Sequence, residues 1–226
     1  MKISYRLVII IAVFITCLIT ANIIAVKLVS IGPVTVFAAI FVFPLSYIVG
    51  DVLTEVYGYR VARHVIWLGF ACNLVFVFFA WVGQVLPPAS FWQGQAAYES
   101  ILGSTPRILI ASFCGYLAGE FSNSFILARM KIFTRGRYLW SRTIGSTVIG
   151  QGLDTVIFTT IALLGTPAFV PTVMMYQWLG KVLIEAVATP ATYGIVGWLK
   201  RKEGIDTYDY QTSYNPFLIT DKGSVS

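Results

Sequence analysis

Residues 7–26 read LVIIIAVFITCLITANIIAV, a run of twenty residues without a charged side chain. Because about 20 mainly apolar residues are needed to cross roughly 30 Å of hydrocarbon, this run predicts a transmembrane helix. The run is long for a signal-peptide core and no convincing cleavage site follows it, so we expect it to be retained. Five further apolar runs follow, and the six predicted spans are residues 7–26, 34–54, 65–86, 108–127, 144–164 and 173–199.

The composition agrees with lipid as the solvent. Hydrophobic residues make up 57% of the chain and charged residues only 12%, whereas soluble domains are about 25% charged. Backbone groups cannot stay unpaired in lipid, so the runs are predicted as helices. A barrel would require alternating polarity, which these runs lack. The predicted fold is therefore an all-α membrane protein, a six-helix transmembrane bundle.

The basic residues predict the orientation of the bundle. With the N-terminus inside, 13 of the 16 Lys and Arg residues lie in cytoplasmic segments, against Lys27 and Arg107 outside and Lys181 within a span. The positive-inside rule then indicates N-in/C-in topology. We expect residues 1–202 to form a single domain and residues 203–226 to form a polar, loosely ordered cytoplasmic tail. No pattern typical of nucleic-acid binding occurs, so lipid and not nucleic acid is the expected partner of the basic segments.

Ionisable residues inside spans are the main functional signal. Such residues are costly in lipid, and they usually face a bundle interior or a cavity. Helical spacing also aligns them with amides and hydroxyl groups on the same helix faces. The residues concerned are Asp51 and Glu55 in the second predicted span, Glu120 in the fourth, Asp154 in the fifth, and Lys181 and Glu185 in the sixth.

Structural explanations remain open for some of these residues. Lys181 and Glu185 are four residues apart and could neutralise each other. Asp51 and Glu55 could lie at the interface beside Arg60 and Arg63 and cap a turn; as an alternative, they are candidates for coupling or gating. Acid–amide combinations elsewhere are harder to explain structurally.

Those combinations suit a particular kind of cargo. Glu120 with Asn123, and Gln151 with Asp154, offer acceptors and mixed donor–acceptor groups. Such a set could bind a planar heterocycle with N–H donors and a carbonyl group, on which aromatic side chains could stack. The predicted binding residues are Glu120, Asn123, Gln151, Asp154, Lys181 and Glu185, with Tyr116 and Phe158 as candidate ring contacts.

Other kinds of function find little support. The single histidine, His64, stands at a predicted helix end without further metal ligands, so neither a metal site nor a cofactor is expected. Cys17, Cys72 and Cys114 lie in apolar runs and show no pairing pattern. An intramembrane enzyme would need a buried catalytic constellation that is missing, so the chain is predicted not to be an enzyme.

Four stretches together resemble one known family. They are GDVLTEVYG at residues 50–58, GEFSNS at residues 119–124, the Arg142–Thr155 segment with Gly150-Gln151, and the segment from Lys181 through Glu185 to Pro190. As an ordered set they are similar to the queuosine precursor transporters, also called the vitamin uptake transporter or YhhQ-type family. The resemblance covers about residues 22–200.

The resemblance implies a function and an architecture. It implies import of 7-cyano-7-deazaguanine, with 7-aminomethyl-7-deazaguanine as a further candidate, across the bacterial inner membrane for queuosine salvage into tRNA. It also implies kinship with the substrate-binding subunits of energy-coupling-factor transporters. The alternative is that the chain is itself such a subunit of a multi-component uptake system, since it has no ATP-binding motif. Six-helix carriers often pair, so a homodimer stays open.

Overall fold

Helices dominate the computed structural model, which describes residues 4–32, 34–103, 106–165 and 169–218. Within these ranges, five helices are long and apolar enough to cross a membrane. They are α1, α3, α5, α6 and most of α7, and they correspond to five of the six predicted spans. The helices are α1 (Tyr5–Ile24), α2 (Phe43–Val52), α3 (Tyr59–Val85), α4 (Gln95–Leu102), α5 (Pro106–Phe133), α6 (Leu139–Leu163) and α7 (Pro171–Glu203).

The predicted second span, residues 34–54, is not one helix. The chain first forms an antiparallel hairpin of β1 (Leu28–Ile31) and β2 (Val34–Phe37), followed by a 3-10 turn. Only then does α2 begin, and it places Pro44 in its first turn. A helix starting at residue 34 would hold this proline in its interior, where the ring clashes with the preceding turn. The prediction of a continuous span was therefore wrong at its outer half.

The short helix α2 lies at the centre of the bundle. It continues into five residues of π-helix, Leu53–Tyr57, which we call the π turn. Every residue from 46 to 59 is buried, and residues of α2 and the π turn form one apolar core with Leu7 and Phe14 of α1. From Ser46 onwards this helix is surrounded by protein, whereas Leu45 in its first turn is 48% exposed. The longer helices carry most of the exposed apolar residues, which are expected to face lipid.

Glycines bring α5 and α6 into close contact. A Cβ atom added to Gly119 would lie 3.0 Å from the carbonyl oxygen of Gly150, and one added to Gly150 would lie 2.8 Å from that of Gly119. Gly115 likewise faces Asp154 on α6. Glycines thus permit a close approach of the two helices at these positions, and the contact sets the spacing of the polar residues on both helices.

The polar tail is folded as far as Leu218 against the end of the bundle where α1 begins, in contrast to the expectation of loose order. The Asp209 carboxylate accepts a hydrogen bond from the backbone N–H of Tyr59, over 3.0 Å. The Arg63 guanidinium donates to the backbone carbonyl of Asn215 over 2.9 Å. Sequence composition could not show these contacts, because the tail uses mostly backbone groups as acceptors. Residues 219–226 lie outside the described ranges.

Candidate functional site

A cluster of polar side chains lies at mid-height in the bundle, and we call it the central cluster. Glu120 and Gln151 stand near the midpoints of α5 and α6. Four helices contribute to it, although consecutive members are up to 69 positions apart in the sequence, from Asp51 to Glu120. Its members are Tyr47 and Asp51 on α2, Glu120 and Asn123 on α5, Gln151 and Asp154 on α6, and Lys181 and Glu185 on α7.

Hydrogen bonds join α2, α6 and α7 within the central cluster. The Lys181 ammonium donates to the Asp154 carboxylate over 2.7 Å and makes a longer contact of 3.4 Å with the Gln151 side-chain oxygen. The Tyr47 hydroxyl donates to the same Gln151 oxygen over 2.6 Å. The predicted residues Gln151, Asp154 and Lys181 thus form one connected group, in which a cation and two acceptors face each other.

A second set of contacts joins α2 to α5. The Asn123 side-chain amide donates to one oxygen of Asp51 over 2.9 Å, and both residues are buried. Glu120, which is also buried, directs its carboxylate towards Gly50, where an added Cβ would lie 3.5 Å from the carboxylate oxygen. Glycine at this position leaves room for the carboxylate to approach α2.

Glu185 does not pair with Lys181, although the two residues are four positions apart on α7. Its side chain is fully buried, and neither carboxylate oxygen has a hydrogen-bond partner among the described residues. The nearer acceptors for Lys181 lie across the helix interface on α6. The expectation that Glu185 neutralises or orients Lys181 therefore has no support in these contacts.

The two predicted ring contacts lie at the edge of the central cluster. Tyr116 donates its hydroxyl hydrogen to the backbone carbonyl of Ile66 on α3, over 3.0 Å. Phe158 packs where α5 and α6 meet, with its Cβ 3.4 Å from a Cβ placed on Gly115. Both side chains are half-buried, so their rings line helix interfaces next to the polar group.

The β-hairpin covers the central cluster from the side where α7 begins. A crevice of about 10 Å³ remains there, lined by Val36, Phe37, Ile40, Gln177 and Lys181. This volume holds about one water molecule. A larger ligand could reach Lys181 through this route only if the hairpin moved away from α7.

Glu55 occupies a separate site, at the end of the bundle against which the tail folds, and we call this site the ionic hub. Arg142 donates to both of its carboxylate oxygens over 2.8 Å, and Lys200 donates to one of them over 2.6 Å. Lys131 lies 3.6 Å from the same oxygen. The structure thus separates the two residues proposed for coupling or gating: Asp51 belongs to the central cluster, and Glu55 is neutralised in the hub.

Sequence reasoning missed the partners of Glu55. Arg142 was counted only as a topology signal, although it begins the fifth span at the membrane side where the second span ends. The second and fifth predicted spans run in opposite directions, so the end of the second and the start of the fifth lie at the same depth. The predicted topology therefore already indicated that Arg142 lies at the same depth as Glu55. Lys131 and Lys200 were overlooked for the same reason.

The tail completes the ionic hub through Asp206, whose carboxylate lies 2.6 Å from the Lys131 ammonium and 2.8 Å from that of Lys200. Partial burial raises the pKa of this carboxyl group, but the hydrogen bonds and charges of the two lysines outweigh that effect and hold the pKa below its usual value. A lowered folded-state pKa stabilises docking at neutral pH, and this contribution is lost as the pH falls through that pKa.

Acid should therefore release the tail. We expect the backbone N–H of Thr207, which donates to Val56 over 3.2 Å, to lose protection from hydrogen exchange below about pH 4, where a free aspartate begins to protonate. Mass spectrometry, corrected for the pH dependence of intrinsic exchange, measures this. Asp206→Asn should already show the loss at neutral pH. Equal protection in the variant and the wild type would contradict the role of Asp206.

Comparison with known proteins places this geometry in a family. Residues 37–195 match the model of the family described as "Putative vitamin uptake transporter", which is more than half of the chain. The chain belongs to this family. The region that matches the vitamin uptake transporter family contains all eight central-cluster residues and Glu55. It also contains the four stretches on which the resemblance was based.

Two curated relatives are transporters by name. The chain is 32% identical over 176 residues to the "Probable queuosine precursor transporter" of Bacillus subtilis (strain 168), covering 76% of this chain and 77% of the relative. It is 28% identical over 161 residues to the "Queuosine precursor transporter" of Escherichia coli (strain K12), covering 69% and 70%. No solved structure matches the chain. The chain is thus a multi-pass membrane protein of a transporter family, and the prediction that it is not an enzyme agrees with these names.

Proposed function

We propose that the protein imports queuosine precursors, 7-cyano-7-deazaguanine foremost and 7-aminomethyl-7-deazaguanine as a second cargo, for salvage into tRNA queuosine. The names of the two curated relatives support this class of cargo. The observation that carries the mechanism is that carboxylates, amides and one ammonium group from four helices meet at mid-height in the bundle. A site in that position can open to either face of a membrane, as carriers require.

The donors and acceptors of the central cluster complement a deazaguanine. The guanine edge presents a ring N–H and an amino group side by side, and one carboxylate can accept from both. Glu120 and Asp154 are the candidates for this contact. Lys181 would donate to the ring carbonyl, and the Asn123 side-chain oxygen, which has no partner among the described residues, would accept the pyrrole N–H.

Binding requires the bundle to open. Ligand pockets typically measure about 300–1,000 Å³, whereas the crevice beside Lys181 measures about 10 Å³. The shortest opening motion would separate the β-hairpin from α7, because these two elements line the crevice. The hairpin thus has the position of an outer gate in this proposal.

The placement in the cell follows from the charges. We propose N-in/C-in topology in the bacterial inner membrane, which places the ionic hub and the docked tail in the cytoplasm. Residues 1–202 would form the transmembrane domain, with an architecture like that of energy-coupling-factor substrate-binding subunits. Assembly as a homodimer stays a prediction, to be measured by the mass of the detergent-solubilised protein.

Binding of 7-cyano-7-deazaguanine to purified protein tests the site. Glu120→Gln and Asp154→Asn each keep the side-chain volume but remove the acceptor charge. Since hydrogen bonds to charged groups contribute about 1.5–3 kcal/mol, the residue that accepts from the guanine edge should lose about 10- to 150-fold in affinity when changed. Isothermal titration calorimetry measures this, with guanine and queuine as comparison ligands.

A matched control separates site effects from general effects of charge removal. Glu99 is an exposed acid on α4, and Glu99→Gln should bind like the wild type. Unchanged affinity in both site variants would refute the assignment. The purified protein could bind the cargo while proteoliposomes that contain only this protein take none up. That result would support the alternative that the chain is a subunit of a multi-component system.

A further inference from the structure

Among the described residues, four carboxylate and amide oxygens in the centre of the bundle have no hydrogen-bond donor. They are both carboxylate oxygens of Glu185, the second oxygen of Asp51 and the side-chain oxygen of Asn123. Glu185 and Asp51 are completely buried, and Asn123 is 3% exposed. Buried acceptors without donors are costly, so the pattern points to a positively charged or donating ligand.

The other acids within the helices are already engaged. Glu55 is bound by cations in the ionic hub, and Asp154 by Lys181. Glu120 retains slight exposure and has the geometry proposed for cargo. Asp51 and Glu185 therefore stand out as the fully buried acids that each have a carboxylate oxygen without a hydrogen-bond partner among the described residues.

Asp51 and Glu185 lie on helices that pack against each other, since α2 contacts α7. The two carboxylates repel each other electrostatically, and in a medium of low dielectric constant both cannot be ionised without a large energetic cost. The other titratable groups that act on a member of the pair are Tyr47, Glu55 and Glu120. One step further away, Tyr116, Asp154 and Lys181 act on Glu120, and Cys17 of α1 contacts Ser46 of α2.

We propose that Asp51 and Glu185 form a proton-binding site, and that the proton bound there enters the cell together with the cargo. A proton on one carboxyl group supplies the missing donor to the other and removes one of two adjacent charges. It needs no further ligands, whereas a metal cation would need about six oxygens, and the described residues contain no group of three or more His, Cys, Asp or Glu side chains that could hold a metal ion.

Asn123 connects the proton site to the cargo site. Its amide nitrogen holds one oxygen of Asp51, and its own oxygen is the proposed acceptor for the cargo. Cargo that draws Asn123 away from α2 would remove the hydrogen bond that stabilises ionised Asp51, so cargo and proton would bind together. By thermodynamic linkage the proton then strengthens cargo binding by the same factor.

Infrared spectroscopy tests the proton site without any cargo. Purified protein at neutral pH should show the C=O stretching band of a protonated carboxyl group. Glu185→Gln and Asp51→Asn should each reduce its intensity, whereas Glu99→Gln should leave it unchanged. An identical band in all four proteins would overturn the proton site, whatever the cargo proves to be.

Proteoliposomes test the coupling, which rests on the proposed function. A proton gradient, inside alkaline, should drive accumulation of labelled 7-cyano-7-deazaguanine by the wild type. Glu185→Gln should lose accumulation while still exchanging labelled for unlabelled cargo across the membrane. If exchange occurs and only a sodium gradient drives accumulation, the coupling is wrong. If the wild type neither binds nor exchanges the cargo, the proposed function fails, and the infrared result still decides the proton site.

Discussion

Replacing Glu55 by glutamine should nearly abolish the yield of folded protein. Glu55 is fully buried and receives hydrogen bonds from Arg142 and Lys200, with Lys131 close by. Removing one partner of a buried ion pair leaves the others without compensation and typically costs about 3–5 kcal/mol. The free energy of unfolding of a folded domain is commonly only about 5–15 kcal/mol, so this loss removes a large share of it. Size-exclusion chromatography of a fluorescent fusion measures the folded fraction.

Glu203→Gln is the matched control for this change. Glu203 also pairs with an arginine at the same end of the bundle; Glu203 is 6% exposed and its partner Arg6 is 43% exposed. Because Arg6 stays hydrated when its partner is changed, this substitution should cost less than the loss of Glu55, and the control should elute like the wild type. Removing Arg142 together with Glu55 should restore part of the yield, because fewer charges are left unpaired. Equal yields of Glu55→Gln and Glu203→Gln would show that the hub is not a structural requirement.

Replacing Gly150 by alanine should separate α5 from α6. The new methyl group would lie 2.8 Å from the Gly119 carbonyl oxygen and 2.8 Å from the Cβ of Asn123, and neither the backbone nor a Cβ can yield without a shift of the helix. Overpacking of this kind costs about 1–3 kcal/mol. Thermal unfolding in detergent, followed by tryptophan fluorescence, should show a lower midpoint than the wild type.

Gly197→Ala provides the comparison. Gly197 lies on α7, and no atom lies within 4 Å of a Cβ added there, so the same substitution should not lower the midpoint. Gly150→Ala should also weaken cargo binding, because the displaced Asn123 belongs to the central cluster. A wild-type midpoint in Gly150→Ala would mean that the two helices tolerate a wider spacing than their contact suggests.

Apolar runs predicted five of the long helices well, since length and hydropathy are properties of the chain alone. They failed at residues 34–54, where the hydropathy signal masked a proline and a set of β-branched residues that favour a hairpin. The hairpin packs beside Gln177 and Lys181 of α7, and this contact is a tertiary property. The sequence therefore predicted the presence of an apolar segment but not its form.

Helical spacing found the polar residues of the central cluster but not their partners. Residues four apart on one helix suggested that Lys181 pairs with Glu185, whereas Lys181 reaches Asp154 on the adjacent helix instead. Which helices adjoin, and at what rotation, depends on contacts such as Gly119 against Gly150. Spacing along a single helix cannot reveal them. The unpartnered state of Glu185 could therefore not be foreseen.

The complete enclosure of α2 has a consequence for biogenesis. This segment leaves the ribosome early, yet the cations that compensate Glu55 are translated much later, Lys200 as many as 145 positions downstream. Until α5, α6 and α7 have emerged, the short helix and its two acids have no suitable surroundings in a bilayer. The nascent chain must therefore keep α2 in the translocon or at the membrane surface, and chains that terminate before α7 should be substrates for membrane proteases.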